Sequence, residues 1–124
     1  MRKAILISTD EMVVHLLKSN TELLNIDVEV IAYSGDILRE IKMRTPDLLI
    51  IDFILNNDNG GALCHQIKLD AKLHDLPVVL ISDYTSLNAI AAKFGCSTFI
   101  TKPLKLTQLL DTITKLLQPQ SVPY

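Results

Sequence analysis

The sequence predicts a doubly wound α/β fold, in which helices cover both faces of a parallel β-sheet. Five short strand-like runs alternate with five helix-like runs along the 124 residues, and strict alternation favours a single wound sheet. Several of the strand-like runs are also continuously apolar, which is typical of parallel strands that are buried on both faces.

The first half of the chain contains three predicted strands and two predicted helices. Strand-like runs cover residues 4–8, 28–33 and 48–51, and the last of them ends at Asp52. Apolar residues at a spacing of about 3.6 predict helices within the ranges 12–24 and 37–41. Ser34-Gly35-Asp36 breaks the second strand, and Pro46-Asp47 ends the second helix.

The second half begins with a predicted loop over residues 56–61, whose composition of Asn, Asp and Gly is the strongest turn signal in the chain. Beyond it we predict a helix with Leu63, Cys64, Ile67 and Leu73, a strand over 77–81, a helix over 87–94 that stops at Gly95, a strand over 97–101 and a helix over 104–117. We expect the domain to cover residues 1–118, and residues 119–124 to be a tail or the start of a linker.

Composition excludes several classes of protein. The 12 Lys and Arg residues against 14 Asp and Glu residues argue against a nucleic-acid module with a basic face. No apolar run is long enough for a membrane span or a signal peptide, so we expect a cytoplasmic protein without a membrane partner. Cys64 and Cys96 have no metal-ligand spacing, and we expect reduced, mostly buried thiols.

Polar side chains follow four of the five predicted strands. Asp10, Asp52 and Asp83 follow the first, third and fourth strands, and the carboxyl ends of parallel strands form one crevice. Ser82 and Lys102 stand at the ends of the fourth and fifth strands and bring a hydroxyl and an ammonium to the same edge. Oxygen ligands of this kind suit Mg²⁺, and a carboxylate can act as a nucleophile towards phosphorus.

Three of these residues also have a simple structural explanation when each is taken alone. Asp10 is a reasonable helix N-cap, Ser82 a turn or cap residue, and Lys102 a solvated surface lysine. Asp52 is different, because it stands within a long apolar stretch, where an unpaired carboxylate is costly to bury.

The ordered set of strand-end residues resembles the receiver domain of bacterial response regulators, the CheY-like family, over about residues 3–117. The resemblance implies a flavodoxin-like sheet of five parallel strands in the order 2-1-3-4-5, with five helices. It is carried by the run from Pro46 to Asp52, by Asn59-Gly60, Ser82, Gly95-Cys96 and Phe99, and by Lys102-Pro103.

The resemblance also implies a role for each matched residue. Asp52 would be the phospho-acceptor, and Asp10, Asp52 and the backbone carbonyl of Ile54 would hold Mg²⁺. Ser82 and Lys102 would bind the phosphoryl group, and Ser82 and Phe99 would act as the switch. The implied donor is a sensor histidine kinase or a histidine phosphotransfer protein, in phosphorelay signal transduction. The implied output is a protein target, an effector domain or a self-dimer, with no direct nucleic-acid contact and no enzyme activity beyond self-catalysed phosphorylation and dephosphorylation.

The sequence departs from the family pattern beside the implied acceptor. Thr9 stands where the first acid of an acidic pair is usual, which predicts weaker Mg²⁺ binding unless Glu11 compensates. Asp83 stands where a small residue is usual, and it would either crowd the phosphodonor or restore the missing charge. Tyr84, like Ile54, flanks the site at a position that tunes the lifetime of the phosphoryl group in the family.

Two other functions stay open at this point. A degenerate pseudo-receiver would bind partner proteins without being phosphorylated, because Thr9 and Asp83 would disable the site. A flavodoxin-like cofactor binder or a small phosphatase is a more distant alternative. The turn Ser8–Glu11 lacks the glycines that cradle a phosphate, and no second Asp follows Asp52 closely.

Overall fold

The computed structural model describes residues 1–55, 58–83 and 95–118. Its elements in chain order are β1 (Arg2–Ile7), α1 (Glu11–Ser19), α2 (Thr21–Leu24), β2 (Ile26–Val30), α3 (Ile37–Arg44), β3 (Leu48–Asp52), β4 (Ile54–Leu55), β5 (Asp58–Asn59), α4 (Gly60–Leu69), β6 (Val78–Ser82), β7 (Thr98–Thr101) and α5 (Leu106–Leu117).

The main sheet has five parallel strands in the order β2-β1-β3-β6-β7, which confirms the predicted doubly wound topology. The register aligns Ile7 with Ile51 across β1 and β3, and Ser82 with Thr101 across β6 and β7. The carboxyl ends of these four strands therefore lie along one edge of the sheet, where ligands bind in doubly wound folds.

Two hydrophobic clusters lie on the two faces of the sheet, because alternate side chains of a strand point to opposite faces. One cluster combines strand residues such as Leu48 and Ile50 with α1 and α5. The other combines Leu49 and Ile51 with α3 and α4. Every residue of β3 is buried, so the continuous apolar run has the two-sided burial that its composition predicted.

The second strand and the first helix differ from the sequence prediction in the first half of the chain. The second strand is β2, Ile26–Val30, rather than 28–33; beyond it, the Ile31 amide still donates to the Leu6 carbonyl at 3.0 Å. The first predicted helix is divided into α1 and α2 at Asn20, whose side-chain amide donates to the Leu16 carbonyl. This contact satisfies a free carbonyl at the end of α1 and permits the break.

The prediction of a loop over 56–61 is wrong for residues 58–61. Asp58–Asn59 forms β5 and pairs with β4, and α4 begins at Gly60 with Asn59 as its N-cap. A Cβ atom on Gly60 would lie 2.2 Å from the Asp52 carbonyl oxygen. The glycine is therefore required by the close approach of α4 to the end of β3, and not by a flexible loop.

In the second half of the chain, two helix boundaries also differ from the prediction, and some predictions fall on residues that the structure does not describe. Helix α4 ends at Leu69, where Asp70 is extended, so the buried Leu73 lies in the turns that follow and not on the helix. Helix α5 begins at Leu106, two residues later than predicted. Asn56, the predicted helix 87–94, Tyr84 and the tail 119–124 lie outside the described residues.

Cys64 and Cys96 are not joined in a disulfide; Cys64 is buried and Cys96 is half-buried against the same cluster. Across the described ranges, no helix is long and apolar enough to cross a bilayer.

Candidate functional site

An ammonium group joins two carboxylates at the carboxyl edge of the sheet. Asp52 is the last residue of β3, Asp10 follows β1, and Lys102 follows β7. The Lys102 Nζ donates to Asp10 Oδ2 and to Asp52 Oδ2, both at 2.8 Å. The structure thus brings together three side chains that are 42 or more residues apart in pairs along the chain, as the strand-end pattern predicted.

Asp10 has two roles at once. Its Oδ1 accepts a hydrogen bond from the Met12 amide at 2.9 Å, so it is the N-cap of α1. Its Oδ2 faces Lys102, whose hydrogen bond holds the pKa of Asp10 below the ordinary value for an aspartate. The capping explanation is therefore correct, and it leaves one carboxylate oxygen for the site.

The side chain of Lys102 is only 12% exposed, so the explanation as a solvated surface lysine is wrong. Burial alone would lower its pKa, but the hydrogen bonds to Asp10 and Asp52 outweigh that effect and raise the pKa of Lys102 above its ordinary value. Lys102 therefore stays protonated at neutral pH. A cis peptide bond links it to Pro103.

Asp52 has a second side-chain contact that the sequence analysis did not foresee. The Ser8 hydroxyl, in the first residue after β1, lies 2.9 Å from Asp52 Oδ2, and both residues are buried. The Asp10 amide in turn donates to Ser8 Oγ at 3.0 Å. The only signal in the sequence was a serine at the end of an apolar run, immediately before Thr9.

The two predicted switch residues lie on the neighbouring strands β6 and β7. Ser82 is 1% exposed at the end of β6, and its carbonyl accepts a hydrogen bond from the Lys102 amide at 2.8 Å. Phe99 is half-buried in β7 and packs against the core cluster on the α3 and α4 face. The backbone contact of Ser82 thus fixes where the segment with Lys102 begins.

A cavity of about 580 Å³ opens beside the ammonium group. Glu11 and Asp83 line it together with Asp10 and Lys102, and Met12, His15, Pro103 and Leu104 supply much of its remaining wall. Thr9 instead lines a separate cavity of about 50 Å³ with Tyr33 and Leu55. Of the described tuning candidates, Glu11 and Asp83 therefore flank the same space as Asp10.

The oxygen donors at this edge fit a hard divalent cation. The carboxylates of Asp10 and Asp52 both reach one ammonium, so their oxygens already face a shared cationic group. Ile54, whose carbonyl is the third candidate ligand, lies in β4 just beyond Asp52. Within the described part of the chain, no three His, Cys, Asp or Glu side chains are grouped to hold a metal. Asp10 and Asp52, the two carboxylates that reach the Lys102 ammonium, are the candidate acidic ligands.

Comparison with known proteins gives one consistent family. A sequence model of the response regulator receiver domain matches residues 4–114. The regulatory protein LuxO of Vibrio vulnificus is 26% identical over 100 residues, which make up 79% of this chain and 22% of LuxO. The DNA-binding dual master transcriptional regulator RpaA of Synechocystis sp. is 26% identical over 125 aligned positions, and the match covers 95% of this chain and 50% of RpaA.

The fold is also similar to solved structures. The response regulator protein TrrA of Thermotoga maritima, solved in complex with Mg²⁺ and beryllofluoride, superposes with a TM-score of 0.81. The match covers 94% of this chain and 100% of TrrA at 17% identity, so it concerns the fold.

Proposed function

Because the chain belongs to the family of response regulator receiver domains, whose model matches residues 4–114, we propose that Asp52 accepts a phosphoryl group in two-component signalling. The observation that carries this proposal is the buried Asp52 carboxylate at the strand edge, hydrogen-bonded to the Lys102 ammonium. The proposed donor is a phosphohistidine of a sensor kinase or a histidine phosphotransfer protein, and the proposed location is the cytoplasm.

The transfer needs one nucleophile and one positively charged side chain from this protein. A carboxylate oxygen of Asp52 forms a bond to phosphorus, the bond from phosphorus to the histidine nitrogen breaks, and its electron pair stays on the imidazole. Lys102 shifts one hydrogen bond to an oxygen of the phosphoryl group and stabilises its charge. The product is an acyl phosphate on Asp52, and the protein performs no further turnover of an external substrate.

Asp10, Asp52 and the Ile54 carbonyl would hold a divalent cation, for which we propose Mg²⁺. When bound, the cation supplies charge neutralisation for the transferred group. The support is the oxygen-only donor set and the Mg²⁺ and beryllofluoride complex of TrrA. With Thr9 lining a separate cavity and no group of three candidate ligands among the described residues, we expect weaker binding than at a site with three acids.

Phosphorylation would change the shape of the β6–β7 edge. A phosphoryl group adds nearly two negative charges beside Ser82, which is buried and lies one residue from the exposed Asp83. We propose that the Ser82 hydroxyl moves towards the phosphoryl group and that Phe99, half-buried in β7, rotates into the space released. A partner protein, an effector domain or a second copy of this chain would recognise the altered surface.

In this proposal, the receiver domain contacts other proteins and does not contact DNA. RpaA is named as a DNA-binding regulator, and this chain spans half of its length. Any DNA contact would therefore belong to a further domain of a longer protein.

The proposal is tested by measuring the mass of the intact protein after incubation with acetyl phosphate and Mg²⁺. We expect an adduct of one phosphoryl group in the wild type and none in Asp52→Asn. Asp47→Asn is a matched control, because Asp47 lies just before the other end of β3, where its carboxylate accepts from the Lys3 amide at 2.8 Å; it should retain the adduct. No adduct in the wild type would instead favour the pseudo-receiver.

A further inference from the structure

The hydrogen bond between Ser8 and Asp52 has a defined direction. Ser8 Oγ already accepts from the Asp10 amide at 3.0 Å, and an ionised carboxylate has only acceptors. The single hydroxyl proton of Ser8 therefore points at Asp52 Oδ2, 2.9 Å away. Because Ser8 is only 8% exposed, water competes little for this contact.

Two described side chains donate to Asp52, and they meet at the same oxygen. Ser8 approaches Oδ2 from the end of β1, and Lys102 approaches it from the end of β7 at 2.8 Å. Two donors on one oxygen, from opposite sides of β3 in the sheet order, restrict rotation of the carboxylate about its Cβ–Cγ bond. Oδ2 is the oxygen that these two donors hold, and neither of them contacts Oδ1.

The contact that orients the Asp52 carboxylate must remain in place while Lys102 moves. Lys102 is shared between Asp10 and Asp52 in the resting site and has to contact the incoming phosphoryl group during transfer. Ser8 has no such second task, since its other partner is the backbone amide of Asp10 at the start of α1. Ser8 can therefore hold Oδ2 throughout the reaction.

We propose that Ser8 is a positioning residue that orients the Asp52 carboxylate, so that Oδ1 is the oxygen that accepts the phosphoryl group. With acetyl phosphate, a lone pair of Oδ1 forms the new bond to phosphorus. The bond from phosphorus to the acetyl oxygen breaks, and its electron pair leaves with acetate. This inference rests on the proposed function and names the residue that prepares its nucleophile. Holding the nucleophile in one orientation accelerates transfer because less freedom is lost on reaching the transition state.

The test compares Ser8→Ala, Ser8→Thr and Ser97→Ala in the rate of phosphorylation against acetyl phosphate concentration at saturating Mg²⁺. Loss of a hydrogen bond to a charged group predicts a maximal rate about tenfold lower in Ser8→Ala. The half-saturating concentration should stay unchanged, because Ser8 does not contact the donor. Ser8→Thr keeps the hydroxyl and should restore most of the rate.

Ser97→Ala is the matched control. The Ser97 hydroxyl accepts a hydrogen bond from the Val78 amide at 3.0 Å, at the opposite edge of the sheet, so its removal is a similar loss far from Asp52. We expect the wild-type rate in this variant. Urea unfolding of all three variants reports whether any rate change reflects a loss of folded protein.

Two results would overturn the role of Ser8 and leave the proposed function intact. One is a wild-type or higher maximal rate in Ser8→Ala, and the other is an equal fall in Ser8→Ala and Ser97→Ala. A failure of the proposed function looks different: the wild type gains no phosphoryl group, or Asp52→Asn still gains one. The Ser8 role falls with it in that case.

Discussion

Two ion pairs on the sheet use the same kinds of charged residue in different surroundings. On the outer strand β2, Glu29 pairs with Arg44 of α3 at 2.6 Å, and the Arg44 and Glu29 side chains are 29% and 43% exposed. At the carboxyl edge, Lys102 pairs with Asp52 at 2.8 Å, and the side chains are 12% and 5% exposed. Water and salt screen the first pair, whereas the second lies in a medium that screens little.

The balance of charge is alike at the two places, because Arg44 is also shared by two carboxylates, those of Glu29 and Glu40. Lys102 is shared by Asp10 and Asp52, and what differs is that Lys102 and Asp52 are largely shielded from water. This arrangement leaves one negative charge that a divalent cation can neutralise. Burial thus distinguishes an ion pair that only stabilises the fold from an ion pair that takes part in the proposed reaction.

The largest effect is expected from Lys102→Met. Removing a partner of a buried ion pair leaves its charge uncompensated, which costs about 3 kcal/mol of the free energy of unfolding. Urea unfolding in EDTA measures this loss, and we also expect the phosphoryl adduct to form far more slowly. The matched change at the exposed pair on β2, Arg44→Met, should cost much less. Equal losses in the two variants would show that burial does not distinguish the two ion pairs.

Gly60→Ala tests the close approach of α4 to β3. The new Cβ would meet the Asp52 carbonyl at 2.2 Å, so either the start of α4 or Asp52 must shift. Such overpacking costs about 2 kcal/mol, and the shift should also slow phosphorylation. Gly35→Ala is the control, since no heavy atom lies within 4 Å of a Cβ there. The account of α4 is wrong if both glycines tolerate alanine equally.

Asp10→Asn tests the electrostatic part of the site alone, because asparagine caps a helix about as well as aspartate. The pKa of Asp10 is lower in the folded protein than in the unfolded chain, so its charge stabilises the fold above the ordinary pKa of about 3.9. We expect a loss of about 1 kcal/mol at pH 7. The difference from wild type should shrink as the pH falls through and below that value, which urea titrations between pH 7 and pH 3 in EDTA would reveal. A difference that grows with acid would contradict the assignment.

The smallest effect is expected from salt at the exposed Arg44–Glu29 pair. Glu29→Gln removes an exposed partner of Arg44, whose hydrogen bond holds the pKa of Glu29 below its ordinary value. Salt at about 1 M should abolish the difference in stability between this variant and the wild type, because it screens exposed pairs. The effect of Lys102→Met should persist in the same salt. Thermal unfolding in both salt conditions is a sufficient readout.

The sequence predicted which charged residues form the site, but it did not predict all of the contacts between side chains there. Asp52 was recognisable as a charge within apolar sequence, and Lys102 by its place after the fifth strand. Their proximity followed from the topology, because parallel strands end at the same edge. The bond from Ser8 to Asp52 depends on side-chain rotamers that no periodicity encodes, and Gly60 looked like a loop residue because the approach of Asp52 is a tertiary contact.

One measurement tests the central claim that the carboxyl edge accepts a phosphoryl group at Asp52. The wild-type protein is incubated with acetyl phosphate and Mg²⁺, reduced with borohydride, digested and analysed by tandem mass spectrometry, because borohydride converts an acyl phosphate to an alcohol at the modified carboxyl. Asp52 should be reduced, whereas Asp10 and Asp83 in the same region should not. Reduction at another residue, or at none, would contradict the claim.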